Sequence, residues 1–309
     1  MQGERRLAAV DIGSNTVHVL VADRVDGDLR DVAFYVEMPE LATRLHRLGE
    51  LGPDGRRLAL EALDTVLAQA RAHGYERLVA GATAAVRQAP DGPDLLRDAS
   101  AHIGVPVRLI TERREAQLAF LGVASRHAIE EDWVMADVGG GSTEVVAARG
   151  VAARAWASLP VGSGGFAARF LSDPPTGSER AALRSAASSV LQEAPRSRCR
   201  ELVVTGGTAS TLPIAVSPDR PPARLGRPDL AAATERLDEG PAVEVAGRVG
   251  LPEARVRALR SGVEILGCLL DGYRQDELQV SHEGLRHGML LAYVAEGDCW
   301  PRESDDLGL

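Results

Sequence analysis

The chain has 309 residues, 45% of them hydrophobic, and a formal net charge of −9. That is enough apolar material for about two globular cores, and too acidic a balance for bulk binding to DNA. All 35 basic residues are arginine, so a Walker lysine is excluded and any anion site must use arginine forks, backbone amides or a metal ion. No apolar run approaches the roughly 18 residues of a membrane span. The charged start before Asp11 does not read as a secretory signal, which leaves the cytoplasm as the expected compartment. Three widely spaced cysteines, Cys199, Cys268 and Cys299, build neither a disulfide framework nor a metal-ligand pattern.

Taken in chain order, residues 7–12, 16–23 and 29–37 read as three strands, the first two joined by a tight turn. A helix with Leu58, Ala62, Val66 and Ala70 on one face is expected over residues 55–73. A strand at 77–80, a helix at 93–103, a strand at 107–110 and a helix at 113–126 follow. The second half repeats the order: strands at 133–137, 143–148 and 153–159, helices at 165–171 and 179–194, then a strand at 201–205. Helices are expected from Thr208, at 228–237, 241–249 and 252–270, then a strand at 277–281 and a last helix at 283–296. Residues 217–227 read as a proline- and arginine-rich loop, and 301–309 as a frayed tail. Three strands followed by helix–strand alternation, twice, predict two copies of one α/β fold, with mixed sheets flanked by helices and an interdomain cleft. The break is placed near residues 125–132, giving domains 1–126 and 127–309.

Each half opens on a strand that ends in Asp-x-Gly: Asp11-Ile-Gly13 and Asp137-Val-Gly139. The two lie 126 positions apart. Gly139, Gly140 and Gly141 expose backbone N–H groups with no Cβ to keep a phosphate away. Asp11, Asp137 and Glu144 are candidate ligands for a cation such as Mg²⁺ or Mn²⁺, which suits carboxylate and phosphate oxygens. The alternative is that each aspartate caps its own turn; the repetition favours the ligand reading. Thr205-Gly206-Gly207-Thr208 is a strand–glycine–helix start that faces an anion or a nucleotide, or is an ordinary capped helix.

Together these motifs resemble the actin, sugar kinase and Hsp70 superfamily, with its tandem RNase H-like domains of the actin-like ATPase type. Two further stretches narrow the resemblance. "GATAAVRQAP" from Gly81 and "ITERREAQLAFLGVA" from Ile110 are similar to segments of the exopolyphosphatase and guanosine pentaphosphate phosphohydrolase (Ppx/GppA) family. Segments starting at Ala42, Ser158 and Val280 also match that family in order. The resemblance implies that Glu115 is the catalytic glutamate and Arg87 the phosphate-contacting arginine, with Thr83 one turn before it. It puts Gly13, Ser14 and Asn15 in a first phosphate turn and Ser142 in the second, and makes Asp137 and Glu144 catalytic acids. It implies a hydrolase that releases terminal phosphate from inorganic polyphosphate or from pppGpp, with no membrane partner and a homodimer as one assembly. A regulator that only binds polyphosphate or guanosine tetra- or pentaphosphate, and a phosphotransferase of the same superfamily, are the alternatives. The family's Ser-Gly-x-Glu-Glu-Ala is altered here to Thr111-Glu112-Arg113-Arg114-Glu115-Ala116, and an expected aspartate is replaced by Arg257. Arg113, Arg114 and Arg126 read as an exposed helix face, or else as a polyanion path. Longer members continue into helical domains, so a two-domain form is expected.

Overall fold

The computed structural model describes residues 6–303; most of the expected tail, from residue 304 onward, lies outside them. The elements of the first half are β1 (Arg6–Ile12), β2 (Val17–Val25), β3 (Asp28–Glu37), α1 (Leu41–Leu48), α2 (Gly52–Arg71), β4 (Arg77–Ala82), α3 (Ala84–Gln88), α4 (Gly92–Ile103), β5 (Val107–Leu109) and α5 (Glu112–Ala124). Then come β6 (Asp132–Val138), β7 (Thr143–Arg149), β8 (Ala152–Leu159), α6 (Ser163–Phe170), α7 (Gly177–Leu191), β9 (Glu201–Thr205) and α8 (Gly206–Val216). The chain continues with β10 (Arg224–Gly226), α9 (Arg227–Leu237), α10 (Ala242–Val249), α11 (Glu253–Tyr273), β11 (Glu277–Val280) and α12 (Leu285–Glu296). Among the described residues no helix is long and apolar enough to cross a membrane.

The chain divides into two compact units. The first runs to Gly122 and resumes at Leu285, and the second is Val123–Gly284. The last helix therefore belongs to the first unit, where the sequence reading had put it in a domain of residues 127–309. The reason is packing. In β1 and β2, residues alternate between two buried faces. Val10, Ile12, Val17 and Val19 pack with Leu63 and Val66 of α2. Leu7, Ala9 and Leu20 of the opposite face pack with Leu285, Met289 and Leu290 of α12. A sheet buried on both faces needs a helix layer on each, and α12 supplies the second. Gly288 lets it approach α5 closely, since a methyl group there would lie within van der Waals overlap of the Leu118 backbone.

Strand order is β3-β2-β1-β4-β5 in the first sheet and β10-β11-β9-β6-β7-β8 in the second. In both, the first three strands form an antiparallel meander and the first strand pairs in parallel with the fourth. The second sheet adds β10, a short edge strand inside the stretch expected to be a loop. Two short helices, α1 and α3, are also additions. Each is eight residues or fewer and too short to show a helical period.

Arginines hold the helical layer of the second unit together. Arg260 on α11 is 1% exposed. It donates to the Leu237 carbonyl at 2.9 Å, the Gly240 carbonyl at 2.6 Å and Asp173 Oδ1 at 2.6 Å. Arg180 on α7 joins Asp238 and Glu264 at 2.5 and 3.1 Å. Burial pushes the Asp173 carboxyl up, but the Arg260 hydrogen bond, the Ala242 amide and nearby positive charge together hold it below the usual carboxylate range. A depressed folded value means that its contribution is complete above the unfolded pKa, about 3.9, and is lost as pH falls through the folded one. R260M is expected to lower unfolding free energy by about 3 kcal/mol, read from urea denaturation near neutral pH. The same substitution should flatten the acid limb of stability, a change visible in melts taken as pH falls below about 4.

Candidate functional site

Both Asp-x-Gly hairpins have the same backbone. Gly13 N–H donates to the Thr16 carbonyl at 2.8 Å, and Gly139 N–H donates to the Ser142 carbonyl at 3.0 Å. Within each hairpin the aspartate sits opposite a residue seven positions on, Asp11 against His18 and Asp137 against Glu144. Such cross-strand pairs share one face of the sheet.

Both turns are also braced in the same way, by the helix that follows the third strand. In the first unit the Ser14 and Asn15 carbonyls accept from the Ala42 and Glu40 amides at 2.6 and 3.1 Å, at the start of α1. In the second, the Gly139 carbonyl accepts from Ser163 N–H, and the Gly140 carbonyl from the Gly164 and Gly165 amides, each at 2.9 Å, at the start of α6. The carbonyls are thus engaged on one side. The Ser14, Asn15, Gly140, Gly141 and Ser142 amides make no backbone hydrogen bond among the described residues. A run of such N–H groups is an anion nest.

In the first unit, Ser14 Oγ accepts from the Ala85 amide at 3.1 Å, which ties the turn to α3. Thr83 is the residue before α3; its amide donates to the Ile12 carbonyl at 3.1 Å. One turn on, Arg87 Nη1 donates to the Ile110 carbonyl at 2.8 Å and to Glu115 Oε2 at 3.0 Å. Its Nε lies 3.8 Å from Glu112 Oε1. Arg87 Nε and Nη2 are buried with no hydrogen-bond partner. Glu115 is 7% exposed. The structure therefore brings Ser14, Thr83, Arg87 and Glu115 into one connected network.

Around Asp11 the nearby charge is an arginine. Arg286 on α12 places Nη1 3.9 Å from Asp11 Oδ2, with its guanidinium 4.9 Å over the Phe34 ring. His18 is tilted against the same ring at 5.3 Å. The sequence reading missed both residues. The signal for His18 was available, because it occupies the position of Glu144 in the 126-residue repeat. Nothing local to the sequence placed Arg286 beside Asp11.

In the second unit, Glu144 is 2% exposed and accepts from Ser158 Oγ at 2.7 Å. Asp137 lies against Gly206, where φ is +91°; a methyl group there would sit 2.5 Å from Asp137 Oδ1 and 2.6 Å from the Val138 carbonyl. Likewise, a methyl group at Gly162 would sit 2.4 Å from the Gly141 nitrogen. These glycines are required by close backbone approach. A methyl group at Gly207 would meet Arg255 Nη1 at 2.6 Å, so that guanidinium covers the start of α8. Thr208 is 1% exposed and packs on Gly262 of α11. Its side chain is part of the helix packing. Among the described residues no group of three or more His, Cys, Asp or Glu is arranged to hold a metal ion. Asp137 and Glu144 form a two-carboxylate pair, which is the usual protein share of a Mg²⁺ site that also uses water and phosphate oxygens.

A model of the Ppx/GppA phosphatase family matches residues 20–296. The chain belongs to that family. The match takes in α3, α5, the second hairpin and α12, and it gives the protein a phosphatase-type function. An uncharacterized protein of Streptomyces coelicolor is 30% identical over 96% of this chain and 92% of its own length. The Ppx/GppA enzyme of Aquifex aeolicus is 28% identical, with a TM-score of 0.74 over 94% of this chain and 100% of that one. An exopolyphosphatase from Cytophaga hutchinsonii shares the fold, with a TM-score of 0.83 at 21% identity over 94% and 98% of the two chains. These neighbours carry the paired actin-like architecture.

Arg114, expected on an exposed face or a polyanion path, is neither. It is 3% exposed. Its Nε donates to the Trp300 carbonyl at 2.8 Å, and Nη2 donates to Glu296 Oε2 at 2.9 Å. The arginine that stands in the altered Ppx/GppA motif therefore ties α5 to the end of α12.

R114M leaves the Trp300 carbonyl without its buried partner and is expected to destabilise the protein by about 2–4 kcal/mol in chemical denaturation, with R114K recovering part of the loss. G162A and G206A are each expected to lower stability by roughly 1–3 kcal/mol. Amide exchange should then rise at Ser163–Gly165 in G162A and along β6 in G206A.

Proposed function

We propose that the protein hydrolyses the terminal phosphoanhydride of inorganic polyphosphate or of pppGpp, with Glu115 as the base that orients the attacking water. The observation that carries this reading is the Arg87 side chain. One of its nitrogens holds Glu115, while two others are buried without hydrogen bonds. Buried donors of this kind are costly to leave unmade, and a phosphate oxygen satisfies them by a charge-assisted fork. The same guanidinium then holds the base and the phosphoryl group it acts on. Family membership supports the substrate class.

In this reading the water oxygen forms a bond to the terminal phosphorus as the bridging P–O bond breaks. The water proton passes to the Glu115 carboxylate, and the shortened phosphate chain leaves with the bridging oxygen. Arg87 and the amides of Ser14 and Asn15 stabilise charge on the non-bridging oxygens, which is where phosphoryl transfer gains most; the amides of Gly140–Ser142 offer a nest of the same kind to phosphate. Asp137 and Glu144 are the residues that would hold Mg²⁺ or Mn²⁺, whose charge offsets that of the phosphates. Asp11, with Arg286 beside it, acts as a positioner of the first turn. Gly206 and Gly207 serve the reaction by leaving room for Asp137 and Arg255.

E115Q is expected to lower kcat for phosphate release by about 10²–10⁴-fold with little change in KM. R87M is expected to lower kcat and raise KM together. The assay is phosphate release from long-chain polyphosphate, tripolyphosphate and pppGpp, with Mg²⁺ and with chelator. Undiminished release by E115Q would overturn the mechanism, and no release from any of the three by the intact protein would favour a binding regulator.

A further inference from the structure

A cavity lies wholly inside the second unit. It is bounded by the end of α7, the crossing at residues 194–199 and the end of α11, and its volume is about 760 Å³. That is within the range of small-molecule sites, which runs from about 300 to 1,000 Å³. Two side-chain hydrogen bonds shape it from within. Tyr273 Oη donates to the Pro195 carbonyl at 2.9 Å, and Gln275 Nε2 donates to the Cys199 carbonyl at 2.8 Å. They pin the crossing segment to the helix end.

One wall is apolar, formed by Leu191, Ala194, Pro195, Cys268 and Leu269. The two thiols that face the cavity add no charge to it. Burial pushes Cys199 up to about 11 and pushes Cys268 up as well, so both are neutral thiols near pH 7 and poor nucleophiles.

The other side is cationic. Arg196, Arg198 and Arg274 line the cavity, and none has an ion-pair partner among the described residues. Arg180, Arg184, Arg224, Arg227, Arg248 and Arg260 of the same unit do pair with acids. The acid that lines the cavity, Asp271, is already engaged by Arg184 and Arg227 at 2.7 and 2.8 Å. The C-terminal ends of α7 and α11 bring about half a negative charge each, which three guanidinium groups exceed. Arg274 also has φ +54°. Glycine or asparagine is the usual residue at that helix-end position, so the arginine there sits against a backbone preference.

We propose that this cavity binds an organic phosphate of nucleoside monophosphate size, with its body on the apolar wall and its phosphate among Arg196, Arg198 and Arg274. The site is separate from the phosphate turns and does not depend on the proposed reaction. Two variants leave the surrounding packing intact. A side chain at Gly272 starts in open space and fills the cavity in G272W. R274G removes one cation while easing the backbone.

The test is calorimetric titration of the full chain with AMP, and with inorganic phosphate as the arm that lacks an organic body. AMP is expected to bind the intact protein at least tenfold more tightly than inorganic phosphate. G272W and R274G should each weaken AMP by tenfold or more, while E115Q and D137N bind it as the intact protein does. Phosphate release by G272W should be unchanged. No AMP binding at millimolar concentration, or binding that survives G272W, or binding lost in D137N instead, would overturn the proposal.

Discussion

A helix start that takes up the carbonyls of a turn decides which way the turn's amides face. Ser14 and Asn15 are held by the α1 region, and Gly139 and Gly140 by α6. In both units the helix after the third strand performs this role. Backbone amides and carbonyls point in opposing directions along a tight turn, so engaging one set commits the other to a single side. The strand-end aspartates, the glycines with no room for a methyl group and the position of α3 all follow from that arrangement. Without the brace, a Gly-Gly-Gly-Ser turn would be a flexible connection with many conformations and no fixed nest.

The two units then use the shared frame for different electrostatics. In the second, an aspartate and a glutamate face each other across β6 and β7, and each disfavours the other's ionisation unless positive charge lies near. In the first, the equivalent position is His18, and the nearby cations are the protein's own: Arg286 beside Asp11 and Arg87 beside Glu115. One hairpin frame, copied, thus sets Glu144 against Asp137 in one unit and His18 against Asp11 in the other. For the proposed polyanionic substrate, a chain of net charge −9 would rely on this local distribution, since total charge acts mainly on distant encounter.

Arg114 shows how the altered motif is accommodated. A glutamate at that position would put a carboxylate against the Trp300 carbonyl and the Glu296 carboxylate, all acceptors. An arginine satisfies both and secures α12 to α5. The neighbouring Glu115 keeps its pairing with Arg87 because residues adjacent in a helix point about 100° apart. The change at 114 is therefore a packing solution on the buried side of α5.

Strand and helix order, the repeat at 126 residues and the two Asp-x-Gly turns were legible from the chain, since hydrophobic period and glycine placement are local properties. So was the family, whose motifs are short and contiguous. The helices α1 and α3 were not, because each is stabilised by what it braces and not by its own period. The domain of α12 was also hidden. Its apolar face would suit either sheet, and only the second face of the first sheet, with Gly288 permitting contact with α5, settled where it lies. The same holds for Arg114 and Arg286. An arginine's sequence neighbours do not reveal whether its long side chain ends in water or on a carboxylate from a distant segment, and that was decided by the tertiary structure.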